Sequence, residues 1–237
     1  MMHLSLHFPQ SHDSIHITFL NVRSLHQHTE LVRHDPIQTA SHINLFSETR
    51  VSHTDCVDMY NIDNFNVIMH SSHSSNNRRP HYGLALYSKL QTLQSCQPVS
   101  LASSYGTVEC ALVQVAVEPS ILLTVVCIYR CPSSDFSHFT TAMSRLLAEI
   151  KTQQTHMTHH TVIMGDFNLD WLDQSVPPRM TAVLPGYRQL VNEITTDYAS
   201  ALDHVYTDIP PDNINCYISE FYYSDHKPVT ASIQFQH

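Results

Sequence analysis

The chain has 237 residues, 42% of them hydrophobic, which is enough to bury the core of one large domain. Twelve Lys and Arg residues stand against 21 Asp and Glu residues, and the resulting formal charge of −9 excludes a protein that holds a polyanion by bulk electrostatic attraction. Nucleic acid would have to bind through local contacts or a metal ion.

Short apolar runs bounded by turn residues recur along the chain and predict ten β-strands. Two of these runs flank the sequence Glu-Pro-Ser at 118–120, which predicts a hairpin of neighbouring strands. The predicted strands are residues 15–20, 43–47, 65–70, 83–88, 108–117, 121–129, 161–165, 202–207, 215–223 and 229–235.

Helical periodicity is clearest after Asp135, where apolar residues recur at a spacing of three to four up to Ile150, and Ser134 or Asp135 can cap this helix. A second helix is predicted over 185–193 and a third between 25 and 39. Many strands with few helices favour two packed β-sheets with helices outside. No linker interrupts the pattern, so we expect a short tail over 1–12 and one domain over 13–237.

The six cysteines form no Cys-x-x-Cys pair, and Cys110 and Cys127 lie in apolar runs where buried thiols are expected. This usage indicates a reducing compartment. The first ten residues lack the pattern of a secretory signal, and the longest apolar run, 121–129, is too short to cross a bilayer. We therefore expect an intracellular protein, nuclear or cytoplasmic, that does not associate with a membrane.

The sequence His-Met-Thr-His-His at 156–160 is the densest cluster among 19 histidines, and it lies between a predicted helix and a predicted strand. A zinc site and a solvated loop are both compatible with this composition. No cysteine or acid accompanies the cluster at ligand spacing, so the loop is favoured.

Polar side chains follow many of the predicted strands. The apolar run 161–165 leads directly into Asp166 and Asn168, although a strand end is also a common place for an ordinary polar turn. Each such residue has a structural interpretation by itself, as a helix cap, a surface acid, a half-buried aromatic or a hydrogen-bonded pair. The residues are Asn21, Glu48, Tyr129, Asp166, Asn168, Asp203, Asp225 and His226.

The motifs that carry these residues resemble the endonuclease/exonuclease/phosphatase family, which has the fold of deoxyribonuclease I and of exonuclease III-type repair nucleases. The resemblance covers about residues 15–235. Within the family, the motifs are most similar to those of the endonuclease domains of non-LTR retrotransposons. The motifs are LNVRSL at 20–25, SET at 47–49, IYRCP at 128–132, GDFN at 165–168, LDHVY at 202–206 and SDHKPV at 224–229. The resemblance implies an α/β fold, a four-layer α/β/β/α sandwich of two mixed β-sheets flanked by helices.

The resemblance also implies a metal site and a catalytic group. Glu48, with Asn21, would hold Mg²⁺ or Mn²⁺, and Asp225 would lie beside the metal or the leaving oxygen. Asp166 would position or deprotonate the attacking water. The remaining implied catalytic residues are Asn168, which would orient that group or the phosphate, Tyr129 and His226, which would contact the phosphate, and Asp203, which would hold the histidine ring.

The resemblance implies lesser contacts from Ser224 and Thr195. Further phosphate contacts outside the catalytic centre are expected from the Arg78-Arg79 pair, which lies in a loop whose alternative interpretation is plain solvation. Lys89 and Lys227 complete the expected cations, and with so few of them DNA binding should be weak and salt-sensitive.

The sequence departs from the family pattern at two places. Abasic-site repair members usually carry an acid two residues after the first Asn, but this chain has Arg23 there, which argues against a repair enzyme. Relatives also place several glycines before the strand at 83–88, whereas this chain has His-Tyr-Gly at 81–83. The low total of four glycines and the many histidines fit a drifted or domesticated copy.

The resemblance predicts a metal-dependent phosphodiesterase that nicks DNA by water attack and leaves a 3′-hydroxyl, derived from a retrotransposon or related mobile element. Its predicted partners are DNA and a fused or separate reverse transcriptase or helicase, and we expect a monomer. Two alternatives stay open: a phosphatase or other phosphodiesterase of the same fold, and an inactive or domesticated relic that acts as a binding module.

Overall fold

The computed structural model describes residues 14–70, 82–90, 93–97, 108–118, 121–152, 157–221 and 223–235. The tail predicted at 1–12 and the predicted phosphate contacts Arg78 and Arg79 lie outside these residues.

The described part of the chain contains twelve strands, four α-helices and two short 3₁₀ helices, at Val57–Tyr60 and Pro211–Asn213. The strands are β1 (Ser14–Asn21), β2 (Ile43–Ser47), β3 (Asn66–His70), β4 (Ala85–Ser88), β5 (Leu93–Gln97), β6 (Val108–Glu118), β7 (Ile121–Arg130), β8 (Thr158–Asp166), β9 (Arg188–Gln189), β10 (Asp203–Thr207), β11 (Ile214–Ile218) and β12 (Val229–Gln234). The helices are α1 (Leu25–His34), α2 (Pro36–Ala40), α3 (Phe136–Thr152) and α4 (Val176–Val183).

The strands form two mixed sheets. The first has the order β11-β12-β1-β2-β4-β3, and the second has the order β5-β6-β7-β8-β10-β9. Each sheet contains one parallel pair at its centre, β1 with β2 and β7 with β8, and antiparallel neighbours on both sides. Helices α1 and α2 connect the first parallel pair, and α3 connects the second.

Three apolar clusters show how these elements stack. One cluster joins the two sheets and includes Ile17 of β1 and Val125 of β7. A second packs the outer face of the second sheet against α3 and α4, and a third packs the outer face of the first sheet against α1. Both sheets are therefore buried on both faces, which confirms the predicted four-layer α/β/β/α sandwich.

All ten predicted strands are present, with ends shifted by a few residues, and β6 and β7 form the predicted hairpin. The sequence prediction missed β5 and the two-residue β9. The predicted strand 161–165 also begins too late. Residues 158–160 were predicted to be part of a loop, and this is wrong because they are the first residues of β8. His159 in this stretch hydrogen-bonds Thr124 across the parallel pair, with Nε2 2.8 Å from Oγ1.

Two of the three predicted helical regions are confirmed. Helix α3 begins where predicted, with the Asp135 carboxylate accepting the backbone N–H of Ser137 at 3.0 Å, and the region 25–39 holds α1 and α2. The helix predicted over 185–193 is wrong, because that stretch turns at Gly186, with φ +85°, and then pairs with β10. The helix in this region is α4, whose prolines lie in its first turn, where missing N–H groups cost nothing.

Cys56, Cys110, Cys127, Cys131 and Cys216 are free thiols, and Cys110 and Cys127 are buried as predicted. None of the helices in the described part of the chain combines the length and the apolar composition that crossing a bilayer requires.

Candidate active site

The topology brings the predicted site residues to one edge of the two sheets. The parallel strands β1, β2, β7 and β8 all end at this edge, and they deliver Asn21, Glu48, Tyr129 and Asp166. Strand β10 runs antiparallel to β8 with Asp203 opposite Asp166, so its first residue lies at the same edge. Carboxyl ends of parallel strands are where α/β proteins commonly place their sites.

The backbone around this edge is unusual. Six described residues other than glycine have positive φ, and four of them are Arg23 (57°), Glu48 (48°), Arg50 (54°) and Asn168 (47°). A side chain costs free energy in this left-handed region, so the surrounding hydrogen bonds must hold it there. Strained backbone of this kind is typical of functional sites.

Asn21 joins the carboxylates of the two sheets. Its fully buried side-chain amide donates to Oε1 of Glu48 and to Oδ2 of Asp166, both at 2.9 Å. Its Oδ1 accepts the backbone N–H of Arg23 at 3.1 Å. The amide nitrogen therefore orients two acids, and the amide oxygen accepts one backbone hydrogen bond. The Tyr129 hydroxyl donates to the same Oε1 of Glu48 at 3.3 Å.

Two arginines face the acids from the solvent side. Arg23 forms a bidentate pair with Asp225, in which Nε and Nη2 donate at 2.7 and 2.6 Å. Its Nη1 lies 3.6 Å from Oε2 of Glu48, and Nη2 of Arg50 lies 3.5 Å from the same oxygen. Burial raises the pKa of Asp225, but the hydrogen bonds and charge of Arg23 outweigh it and lower that pKa overall.

Asp166, Asp203 and His226 form a buried triad. Nδ1 of His226 lies 2.9 and 3.0 Å from the two carboxylate oxygens of Asp203, and Nε2 lies 4.0 Å from Oδ2 of Asp166. One ligand atom from each residue fits within a 4.8 Å span, so the triad could also hold a metal ion.

The protonation of the triad is set by burial and charge. Burial lowers the pKa of His226, but the Asp203 carboxylate overcomes this and raises it to about 9, so the ring is a cation at neutral pH. Burial, helped by the Asp203 charge, raises the pKa of Asp166 to about 7. A carboxylate with a pKa near the working pH is suited to proton transfer.

The loop after β8 is held by the predicted residue Asn168 and by two groups that the sequence analysis missed, Arg130 and Asp170. The Asn168 side chain donates to the carbonyl of Arg130 at 2.7 Å, and the buried Arg130 guanidinium donates in return to the carbonyls of Phe167, Asn168 and Ser134. The Asp170 carboxylate accepts the backbone N–H of Ala201 at 2.9 Å, which ties the loop to β10. The polar residues that follow β8 therefore build both the site and its support.

Gly165 is required by the close approach of β7 and β8. A Cβ atom at this position would lie 2.0 Å from the carbonyl oxygen of Ile128, its parallel partner. The glycine thus lets Asp166 emerge directly beside Tyr129.

The lesser predicted contacts support the backbone of the site. Thr195 is fully buried, and its hydroxyl accepts the backbone N–H groups of Leu202 and Asp203 at 3.1 and 3.2 Å. The Ser224 hydroxyl donates to the carbonyl of Asn21 at 2.7 Å and accepts the N–H of His226 at 3.2 Å. Both residues hold strand ends that carry the predicted catalytic side chains.

The two predicted lysine contacts lie in different places. Lys227 follows His226 and pairs with Glu220 at 2.9 Å. Lys89 follows β4, whose last residue Ser88 pairs with the first residue of β2, so it lies at the opposite edge of the sheet from Glu48.

The donor set suits a hard divalent cation. Carboxylate oxygens are plentiful among the described residues at this edge, and a partly hydrated Mg²⁺ or Mn²⁺ prefers such oxygens. The acids are Glu48, Asp166, Asp203 and Asp225, and the cations are Arg23, Arg50 and His226.

The sandwich and its acidic edge define the fold class of the deoxyribonuclease I-like proteins. An AP endonuclease from Leishmania major superposes with a TM-score of 0.73 at 13% identity, over 94% of this chain and 89% of that one. The endonuclease domain of TRAS1, a telomere-specific non-LTR retrotransposon, superposes with a TM-score of 0.67 at 15% identity, over 94% of this chain and 100% of that one. Truncated TDP2 from Caenorhabditis elegans superposes with a TM-score of 0.66 at 16% identity, over 94% of this chain and 98% of that one. A comparison with curated proteins finds no match.

The sequence supports the same assignment. The model of the endonuclease/exonuclease/phosphatase family matches residues 21–226, which include every motif residue from Asn21 to His226. The chain belongs to this family.

Proposed function

We propose that the protein is a Mg²⁺- or Mn²⁺-dependent phosphodiesterase that nicks DNA and leaves a 3′-hydroxyl. The observation that carries the proposal is the buried triad of Asp166, Asp203 and His226 beside Glu48. It places a carboxyl group with a raised pKa, that of Asp166, next to the imidazolium of His226 at one edge of the two sheets. This arrangement supplies a proton acceptor and a positive charge for phosphate within one site.

Each residue then has a role in hydrolysis. Asp166 accepts a proton from the attacking water, and the backbone N–H of Asn168, which donates to its Oδ1 at 2.9 Å, fixes that carboxylate. The His226 imidazolium donates to a non-bridging phosphate oxygen through Nε2 because Asp203 occupies Nδ1. Asp203 thereby sets the orientation and the charge of the ring.

The metal would be held by Glu48 with the help of Asn21 and by Asp225, and it would supply Lewis acidity toward the phosphate oxygens. Asn21 orients Glu48 and Asp166 as a donor, and the Tyr129 hydroxyl reaches the phosphate from beside Glu48. The pKa of Tyr129 is raised by burial and by the Glu48 charge, so its hydroxyl stays protonated and able to donate.

Thr195 and Ser224 position the backbone of Asp203 and His226, a role that their hydrogen bonds favour over direct phosphate contact. Arg78 and Arg79 remain proposed DNA contacts.

DNA as substrate is supported by the fold shared with the TRAS1 endonuclease domain and by the retrotransposon-like motifs. The formal charge of −9 makes weak, salt-sensitive binding the expectation, so a reverse transcriptase or helicase, fused or separate, would supply targeting. We propose a monomer that acts inside the cell, in the nucleus or the cytoplasm.

Two other functions make different predictions. A phosphatase or phosphodiesterase acting on small substrates would keep Asp166 and His226 essential but leave DNA uncut. A relic that serves as a binding module would bind DNA or another partner and cut neither kind of substrate.

The test is nicking of supercoiled plasmid at low salt, with Mg²⁺ or with EDTA. We expect relaxed circles with metal only, and their loss in Asp166→Ala and His226→Ala. Asp212→Asn is the matched control, because this exposed acid precedes β11 at the end of the sheet away from the site. A folded native chain that cuts no faster than the two variants would overturn the proposal.

A further inference from the structure

Arg23 touches two carboxylates that belong to the proposed metal site. Its guanidinium donates two hydrogen bonds to Asp225, and its remaining nitrogen lies 3.6 Å from Oε2 of Glu48. The ion pair between Arg23 and Asp225 bridges 202 positions of the chain, so the fold itself brings these groups together. A fixed positive charge therefore lies between the two acids that a divalent cation would use.

The main chain holds Arg23 in this place. Its φ of 57° is sustained by the bond from its N–H to Oδ1 of Asn21, and the next residue, Ser24, caps α1 by accepting the N–H of Gln27. The side chain is nevertheless 40% exposed, so the guanidinium has room to leave the acids without unfolding the site.

Electrostatics makes Arg23 a competitor of the metal. A guanidinium stays charged at every working pH, and here the hydrogen bonds that it donates to Asp225 raise its pKa further. Because Nη1 of Arg23 lies 3.6 Å from Oε2 of Glu48, this charge would repel a divalent cation held by that carboxylate and weaken its binding by roughly tenfold or more in a partly solvated site.

We propose that Arg23 is a built-in counter-cation that competes with the divalent metal for Glu48 and Asp225 and is drawn away when substrate phosphate binds. A guanidinium group forms the same bidentate hydrogen bonds with a phosphate as it does with a carboxylate. A phosphate at the site therefore offers Arg23 a partner equivalent to Asp225. Metal and substrate then bind cooperatively, each tightening the other by the same factor. This inference rests on the proposed function, because it assumes that the acids hold a metal.

The test is direct titration of the full chain with Mn²⁺ by calorimetry, without DNA. Arg23→Gln should tighten Mn²⁺ binding by about tenfold or more, because it removes the competing charge and keeps a neutral, polar side chain. Adding Glu48→Gln to this variant should abolish the gain. Arg145→Gln is the matched control: it makes the same change in net charge on the exposed face of α3 and should leave the affinity unchanged.

A second measurement uses the native sequence, so it does not depend on how the variant folds. A short duplex with hydrolysis-resistant phosphorothioate linkages should tighten Mn²⁺ binding to the native chain by about tenfold or more. If Arg23→Gln folds, the duplex should tighten its Mn²⁺ binding by a smaller factor, because only the direct attraction between metal and phosphate is left. An unchanged Mn²⁺ affinity in folded Arg23→Gln, or no effect of the duplex on the native chain, would overturn the proposal.

Plasmid nicking separates this inference from the proposed function. If the native chain nicks DNA with Mg²⁺ and Arg23→Gln binds Mn²⁺ no more tightly, the counter-cation role fails alone. If Arg23→Gln binds Mn²⁺ more tightly while the native chain cuts no DNA, the counter-cation role stands and the nuclease proposal fails.

Discussion

Replacing Asp203 with Asn tests the charge of His226 directly. The substitution keeps the shape and an acceptor for Nδ1 but removes the carboxylate that raises the pKa of the ring to about 9. The His226 side chain is only 4% exposed, so burial, which lowers the pKa, then dominates. We expect the pKa of His226 to fall by at least about 2 units, which corresponds to about 3 kcal/mol.

The assay is NMR titration of histidine-labelled protein in EDTA, with His226→Gln identifying the resonance among the 19 histidines. In the native chain the ring should titrate near pH 9, and in Asp203→Asn it should titrate near or below 6.5. A shift of less than half a unit would refute the argument that Asp203 sets the charge of the ring. Nicking should fall by roughly 10² to 10⁴, the usual range for a misoriented or uncharged catalytic group.

Stability should follow the same linkage. The folded pKa of His226 lies above its unfolded value of 6.5, so the stabilisation is fully present below pH 6.5 and disappears as pH rises through about 9. Between pH 7.5 and 9.5, the native chain should lose about 2 kcal/mol more than Asp203→Asn in urea unfolding. Asp212→Asn should behave as the native chain. Equal losses in Asp203→Asn and the native chain would contradict the linkage.

Three other substitutions have defined expectations. Gly165→Ala should destabilise the fold by about 3 kcal/mol or more in urea unfolding, because its Cβ would lie 2.0 Å from the Ile128 carbonyl oxygen; a loss below 1 kcal/mol would show that the strands can separate. Arg130→Met removes the guanidinium that donates to three backbone carbonyls, so the free energy of unfolding should fall by about 2–4 kcal/mol and nicking should slow. Unchanged nicking would show that the loop does not need this support. Burial lowers the pKa of His204 to about 4, so the free energy of unfolding of the native chain should fall as pH falls from 6.5 toward 4. In His204→Gln this loss should be about 3 kcal/mol smaller, and parallel curves of unfolding free energy against pH for the two chains would refute the argument.

The strands were predictable because their signal is local. The run in β7 alternates residues that face the other sheet, such as Val125, with residues that face α3, such as Val126, and both kinds are apolar. Such runs between turn residues indicate strands buried on both faces, as in a sandwich covered by helices. The helix predicted at 185–193 is wrong because a local signal has limits. A few apolar residues at helical spacing cannot distinguish a helix from a turn followed by a strand.

The amino-acid sequence by itself determined most of the strands, helices α1 to α3, the two-sheet class and the identity of the polar groups at the strand ends. Only the tertiary structure decided how those groups meet: that Asn21 donates to Asp166, 145 positions away, that Arg23 pairs with Asp225, and that Arg130 supports the loop after β8. These contacts depend on strand register and on the packing of one sheet against the other. Periodicity carries no information about either, since it repeats every few residues and the partners lie far apart in the chain.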